Sequence, residues 1–202
     1  MRTLAIDTSS AACSVALFDG ARLVDAAHHI IGRGHAEQLL PLIAALPGGG
    51  AADRILVGCG PGSFTGVRVG IAAARALALG WGVEVSGFNS LALVAAGRAD
   101  HGGGPCVVAM DGGHGEWLVQ SFTAEGTAIG AFASLPSASV RGADPGALIL
   151  GNRAAEYAAA SGAGTAHDTL PDARHAMTMA ADATGLPVRP VYARAPDAAV
   201  RA

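Results

Sequence analysis

Short apolar runs separated by polar or glycine-rich turns open the chain. Thr3-Leu4-Ala5-Ile6 reads as a buried strand, Asp7-Thr8-Ser9-Ser10 as a turn, and Ala12 to Phe18 as a second strand. Asp19-Gly20 is a hairpin signal, so Arg22 to Ile30 is expected to form a third antiparallel strand. After the break Gly32-Arg33-Gly34 the period changes. From His35, residues Leu39, Leu40, Leu42, Ile43 and Leu46 follow helical spacing, with Pro41 predicting a kink and Pro47-Gly48-Gly49-Gly50 an end. Arg54 to Cys59 is the next strand, and it runs into the turn Gly60-Pro61-Gly62-Ser63-Phe64-Thr65-Gly66. A helix over Gly66–Leu79 follows, capped by Ser63 or Thr65 and stopped at Gly80. It is apolar almost all round, with only Arg68 and Arg75 interrupting, which predicts burial on several sides or a partner. Gly66, Gly70, Ala74 and Ala78 recur at every fourth position, a stripe that permits close helix approach.

Val83 to Gly87 is a short strand, Asn89-Ser90 caps a helix from Leu91 to Ala99, and Asp100-His101-Gly102-Gly103-Gly104 is a linker. The pattern then repeats. Cys106 to Met110 is a strand, Asp111 to Gly115 a turn, Glu116 to Phe122 and Thr127 to Phe132 are strands, and Ala147 to Gly151 precedes a helix from Asn152 to about Ser161. A helix over Asp172–Thr184 and a tail, Pro187 to Pro196, complete the pattern. Such a duplication predicts two similar half-domains, residues 1–100 and 101–202, facing each other, with Asp7 and Asp111 at matching strand ends.

With 202 residues, 51% hydrophobic and only 14% charged, the chain is expected to be globular and to have apolar surface covered by another protein. A net charge of −3 gives no support for direct, unaided nucleic-acid binding. Cys13, Cys59 and Cys106 are scattered and unpaired by spacing, which reads as a reducing, cytoplasmic compartment. Asp7 stands where a signal peptide would be apolar, and no uncharged apolar run reaches the roughly 18 residues of a membrane span.

Three stretches are candidates for chemistry. Strand, glycine turn and helix start form either an anion site or a tight turn packing helix on sheet. The turn is neither a Walker A loop, since Val67-Arg68 follow Gly66, nor a dinucleotide fingerprint, since Gly60, Gly62 and Gly66 have the wrong spacing. Asp7 and Asp111 are either facing carboxylates for Mg²⁺, as in an autonomous ATPase or kinase-like enzyme, or acceptors for their own turn amides. His35 begins a helix but residue 39 is leucine, so a metallopeptidase-type site lacks its second ligand. His114 and His175 have no metal-spaced partner and read as solvated surface or turn histidines.

Four stretches in order, MRTLAIDTSSAACSVALFDG, GRGHAEQLLPLI, VGCGPGSFTGVRVGIAAARALALG and PVYARAPDA, resemble the TsaB (YeaZ) family. The likeness is dense over the first 95 residues and then thins to the Tyr192-Ala193-Arg194 tail. It implies an α/β fold of the actin-like, Hsp70-like ATPase (ASKHA) type, with two RNase H-like lobes of mixed sheet flanked by helices. It also implies a non-catalytic subunit for threonylcarbamoyladenosine synthesis in tRNA, pairing with a TsaD-like transferase, with a TsaE-like ATPase docking on the pair. No cofactor or metal is implied for this chain, tRNA is reached only through the complex, and a homodimer is expected when the partner is absent. The partner-binding positions carried over lie on the two first-lobe helices: His35, Leu39, Leu42, Ile43 and Leu46, then Val67, Gly70, Ile71, Ala74, Leu77 and Ala78. Asp7, Thr8 and Asp111 are carried as vestigial nucleotide-binding positions. Two departures stand out: the bare Pro-Gly-Gly-Gly-Ala-Ala after Leu46, and the turn Asp111 to Glu116, which lacks basic residues.

Overall fold

The protein is described by a computed structural model over residues 1–140 and 146–193. Arg194 to Pro196, the end of the tail motif, lie outside the described residues. Strands β1 (Arg2–Asp7), β2 (Ala12–Asp19), β3 (Arg22–Ile30), β4 (Arg54–Gly58) and β5 (Glu84–Phe88) form one sheet in the order β3-β2-β1-β4-β5. Strands β6 (Cys106–Gly113), β7 (Glu116–Phe122), β8 (Ala128–Pro136), β9 (Leu148–Leu150) and β10 (Thr165–His167) form a second, ordered β10-β9-β6-β7-β8. The second order is the first repeated. In each, two antiparallel hairpin pairings are followed by parallel strands. This is the tandem RNase H-like, ASKHA arrangement.

The central strand β1 is buried on both faces, which is why its apolar run is continuous. Leu4 and Ile6 point into a cluster with Val15, Ile55 and Val57 that the helices α1 (His35–Ala45) and α2 (Phe64–Trp81) cover through Leu39, Ile43, Ile71 and Ala74. Ala5 points the other way, into a cluster with Phe18, Leu56 and Phe88. The helix α3 (Ser90–Ala96) is buried at every position and connects to the second lobe through a 3₁₀ turn, Gly97–His101. Asn89 caps it, its Oδ1 accepting from the backbone of Leu91 at 2.8 Å. The helix α4 (Ala154–Ser161) flanks the second sheet.

Several elements differ from the pattern read in the sequence: β6 takes in Asp111 to Gly113, read as a turn, β8 runs on to Pro136, and the helix read to Ala99 ends at Ala96. The helix expected to stop at Gly80 runs to Trp81 and ends at Gly82, whose φ of 68° makes the left-handed cap with its N–H on the Ala78 carbonyl. The helix expected over Asp172–Thr184 is two 3₁₀ turns, Ala173–Thr178 and Ala181–Ala183. Between them the chain is extended at Met179 and Ala180, with ψ of 147° and 150°, which breaks the helical run. Both ends are tied to the rest of the protein: Ala173 N donates to Ser14 Oγ at 2.8 Å, and the Ala183 carbonyl accepts from Asn89 N at 3.0 Å. Ala173 and Ala176 thereby complete the far face of the first sheet, so chain that follows the second lobe in sequence packs on the first. No helix among the described residues is long and apolar enough to cross a membrane.

Candidate functional site

The loop after β4 is built around close approach of two turns. Thr8 Oγ1 donates to the Gly66 carbonyl at 2.7 Å, and Ser63 N donates to the Ser9 carbonyl at 2.7 Å. A Cβ at Gly66 would overlap the Thr8 carbonyl oxygen, and one at Gly62 would overlap that of Ser9. Ser63 Oγ accepts from Gly66 N at 3.2 Å and caps α2. The glycines therefore serve turn-on-turn packing, the second of the two readings of this loop. Gly66→Ala is expected to cost about 3 kcal/mol, since backbone oxygen cannot move aside and the helix-propensity gain of about 1 kcal/mol is smaller. The check is the urea midpoint at unchanged slope.

Asp7 ends β1 and is 1% exposed. Its Oδ1 accepts from Ser9 N at 2.8 Å and Ser9 Oγ at 2.7 Å, and its Oδ2 accepts from Ser90 Oγ at 2.8 Å. Burial pushes this carboxyl above the usual range, although those bonds and His35 pull the other way. A side chain at position 58 would overlap Asp7 Oδ2, so glycine is required there for the carboxylate to sit as it does. Asp111, by contrast, is exposed: it accepts from Gly113 N at 3.1 Å and pairs with Arg153 at 3.4 Å. Of the two readings of these aspartates, the geometry fits the one in which each accepts an amide of its own turn, and not the facing pair. Asp111 lines the interlobe cleft, whereas Asp7 and Thr8 are sealed beneath it by Ser9, Ser90 and Gly66.

That cleft has a volume of about 510 Å³, and Ser9, Ser63, Phe64, Asp111, Glu116 and Tyr192 are among its lining. Among the described residues no lysine or arginine lines it. Its described lining offers hydroxyls and carboxylates but no fixed positive charge for a polyphosphate. His35 is 8% exposed, and its Nε2 lies 3.2 Å from the Ala12 carbonyl, a bond within the first lobe. Among the described residues no group of three His, Cys, Asp or Glu is placed to hold a metal ion. Burial raises the thiols of Cys13 and Cys106 to about 11, and raises that of Cys59 as well, so none is an activated nucleophile.

The partner-binding positions need a larger correction. Leu39, Ile43, Leu46, Val67, Ile71, Ala74 and Ala78 are core residues under the first sheet, and Gly70 and His35 are buried with them. Leu42 and Leu77 are half-buried against the same cluster. The close-approach stripe faces this chain's own sheet: a Cβ on Gly70 would come within 2.5 Å of Thr8 Oγ1. The outward faces carry other residues: Ala36, Leu40 and Ala44 on α1, and Ala72, Ala76 and Leu79 on α2. Leu40 is 50% and Leu79 85% exposed.

Reading the sequence also missed a cluster at the cleft mouth. The Arg68 guanidinium lies 3.6 Å from the Phe64 ring centre and its Nε donates to Tyr192 Oη at 2.9 Å. The signal was present, since Arg68 breaks an otherwise apolar helix, but its tyrosine lies 124 residues away.

The family model for TsaD, tRNA N6-adenosine threonylcarbamoyltransferase, matches residues 29–162. The Escherichia coli tRNA threonylcarbamoyladenosine biosynthesis protein TsaB is 40% identical over 114 residues, 54% of this chain and 49% of that protein. The chain thus spans about half the length of the curated relatives it matches. A crystal structure from Pseudomonas aeruginosa, of a protein with similarity to peptidase YeaZ, superposes with a TM-score of 0.80 at 29% identity, over 96% of this chain and 99% of that one. The ethanolamine utilization protein EutJ of Carboxydothermus hydrogenoformans shares the fold alone, with a TM-score of 0.51 at 14% identity over 89% of each chain.

Proposed function

Because the chain belongs to the TsaB/YeaZ branch of the TsaD-type family, we propose that it is a non-catalytic subunit in the synthesis of N6-threonylcarbamoyladenosine in tRNA. In this reading it pairs with a TsaD-like transferase, which holds the reacting groups, and a TsaE-like ATPase docks on the pair. The observation that carries it is the outward face of α1 and α2. After their inner faces have covered the sheet, the outer ones are still apolar, with Leu79 85% and Leu40 50% exposed. Ala72, Ala76 and Gly80 recur at every fourth position on the exposed side of α2, so another helix can approach closely there. An apolar helix face of this kind is covered in use. A second copy of the chain covers it when the transferase is absent.

The sealed Asp7 supports the division of labour. Both its oxygens are occupied by serine donors, and an occupied, buried carboxylate is poorly placed to hold a hydrated cation. The test is calorimetric titration with the purified TsaD-like transferase of the same organism. Ala76→Glu combined with Leu79→Glu is expected to weaken pairing about 100-fold with the thermal midpoint unchanged, because both positions are exposed. Unaltered affinity would remove this face from the interface. Modification of tRNA by the isolated chain would end the non-catalytic assignment.

A further inference from the structure

Residues 186–193 lie along the first lobe as a strap beside α2. Gly87 and Leu186 exchange backbone bonds of 2.8 and 3.0 Å, and Val191 N donates to the Cys59 carbonyl at 2.8 Å. Arg75 Nη2 donates to the Val188 carbonyl at 2.5 Å, and Arg68 to Tyr192. The approach is close enough that a Cβ on Gly60 would come within 2.8 Å of the Val191 carbonyl oxygen, and one on Gly87 within 3.0 Å of that of Leu186. The strap is therefore seated, and its seam with α2 is a formed surface.

Three arginines follow this seam: Arg68 and Arg75 from α2, and Arg189 from the strap. All three are exposed, and among the described residues none has a carboxylate within 4 Å. This lies on a chain whose net charge is −3. Beside them stand two partly exposed rings, Phe64 at 54% and Tyr192 at 39%, with centres 5.5 Å apart. Arg68 is preorganised: stacked on Phe64 and held at Nε by the tyrosine, it keeps its two terminal nitrogens for a bidentate grip.

We propose that this seam is a docking site for an acidic segment of the protein partner that covers the outward face of α1 and α2. The proposal rests on the pairing read above. Charge complementarity selects the occupant, since guanidinium forks with no carboxylate partner among the described residues match carboxylates. Arginine and tyrosine set among apolar surface are also the residues that dominate protein interfaces. Ala72 and Ala76 bring the seam into continuity with the apolar face. RNA is disfavoured, since three arginines neutralise few phosphates and the chain carries a net charge of −3.

The experiment titrates the purified TsaD-like transferase into the full chain at low and at high salt. Arg189→Glu is the first variant, because that side chain holds nothing in the strap; the second combines Arg68→Gln, Arg75→Gln and Arg189→Gln. Expected are losses of about tenfold and about 50-fold at low salt, shrinking toward wild type at high salt as screening removes the contact. Pairing that is insensitive to salt and to both variants overturns the docking site and leaves the pairing standing. Absence of pairing by the wild-type chain overturns both. Salt-dependent binding of tRNA by the isolated chain that the triple variant abolishes, with pairing untouched, assigns the seam to RNA and overturns the proposal too.

Discussion

The Ala74→Arg substitution is expected to unfold the protein. Ala74 is fully buried on α2, packed under the sheet with Ile71, Val57 and Leu39. An arginine there must either force the helix off the sheet or hold an unpaired charge in an apolar layer. Overpacking alone costs about 1–3 kcal/mol, and an uncompensated buried charge about 3–5 kcal/mol. Together these approach the roughly 5–15 kcal/mol that a domain has in total. The measurement is urea denaturation of Ala74→Arg beside Ala72→Arg, two positions away on the exposed side of the same helix. The second variant is expected to stay within about 0.5 kcal/mol of wild type, as exposed substitutions do. If Ala74→Arg instead folds with wild-type stability and only loses its partner, α2 presents the opposite face from the one described here.

A second large effect is expected at Asp7, and it depends on pH. Burial holds this carboxyl above its unfolded value of 3.8, so the folded protein takes up the proton more readily than the unfolded chain does. The stability that Asp7 contributes is therefore fully present below that unfolded value and is lost as pH rises through the higher folded one. Asp7→Asn keeps the shape and removes the titration. Its stability is expected to match or exceed wild type by about 1 kcal/mol at neutral pH and to fall relative to wild type as the solution is acidified. Asp7→Ala is expected to cost about 2–4 kcal/mol, because the hydroxyls of Ser9 and Ser90 lose their acceptor in a dry site. Denaturant unfolding of the three proteins between acid and neutral pH gives the difference curves. A flat difference between wild type and Asp7→Asn, or an Asn variant as unstable as the Ala variant at neutral pH, would contradict this account.

The strands of the first lobe were legible because central strands buried on both faces leave unbroken apolar runs, as in Thr3 to Ile6 and Ile55 to Val57. The repeated succession of strand, aspartate turn, two strands, later strand and helix was legible too, though not the spatial order of the strands. The orientation of α2 was not. Alanine counts as apolar wherever it stands, so a helix with Ala74 and Ala78 inside and Ala72 and Ala76 outside looks greasy all round. Its interface positions were accordingly read from the buried face. The three-residue strand β10 was too short to leave a period. The state of Asp7 was out of reach because Ser90, which seals it, lies 83 residues away. Arg68 showed in the pattern as an interruption, but nothing local tied it to Tyr192.

The return of residues 171–179 across the first sheet has a consequence for how the protein is made. Phe18, Leu56 and Phe88 emerge from the ribosome long before Ala173 and Ala176, which cover them. Through the whole translation of the second lobe, that side of the nascent first sheet is covered only in part, by Leu93 of α3. Vectorial synthesis therefore leaves the first lobe unfinished until the end, and the last turns laid down act as the closing stitch for the strands laid down first.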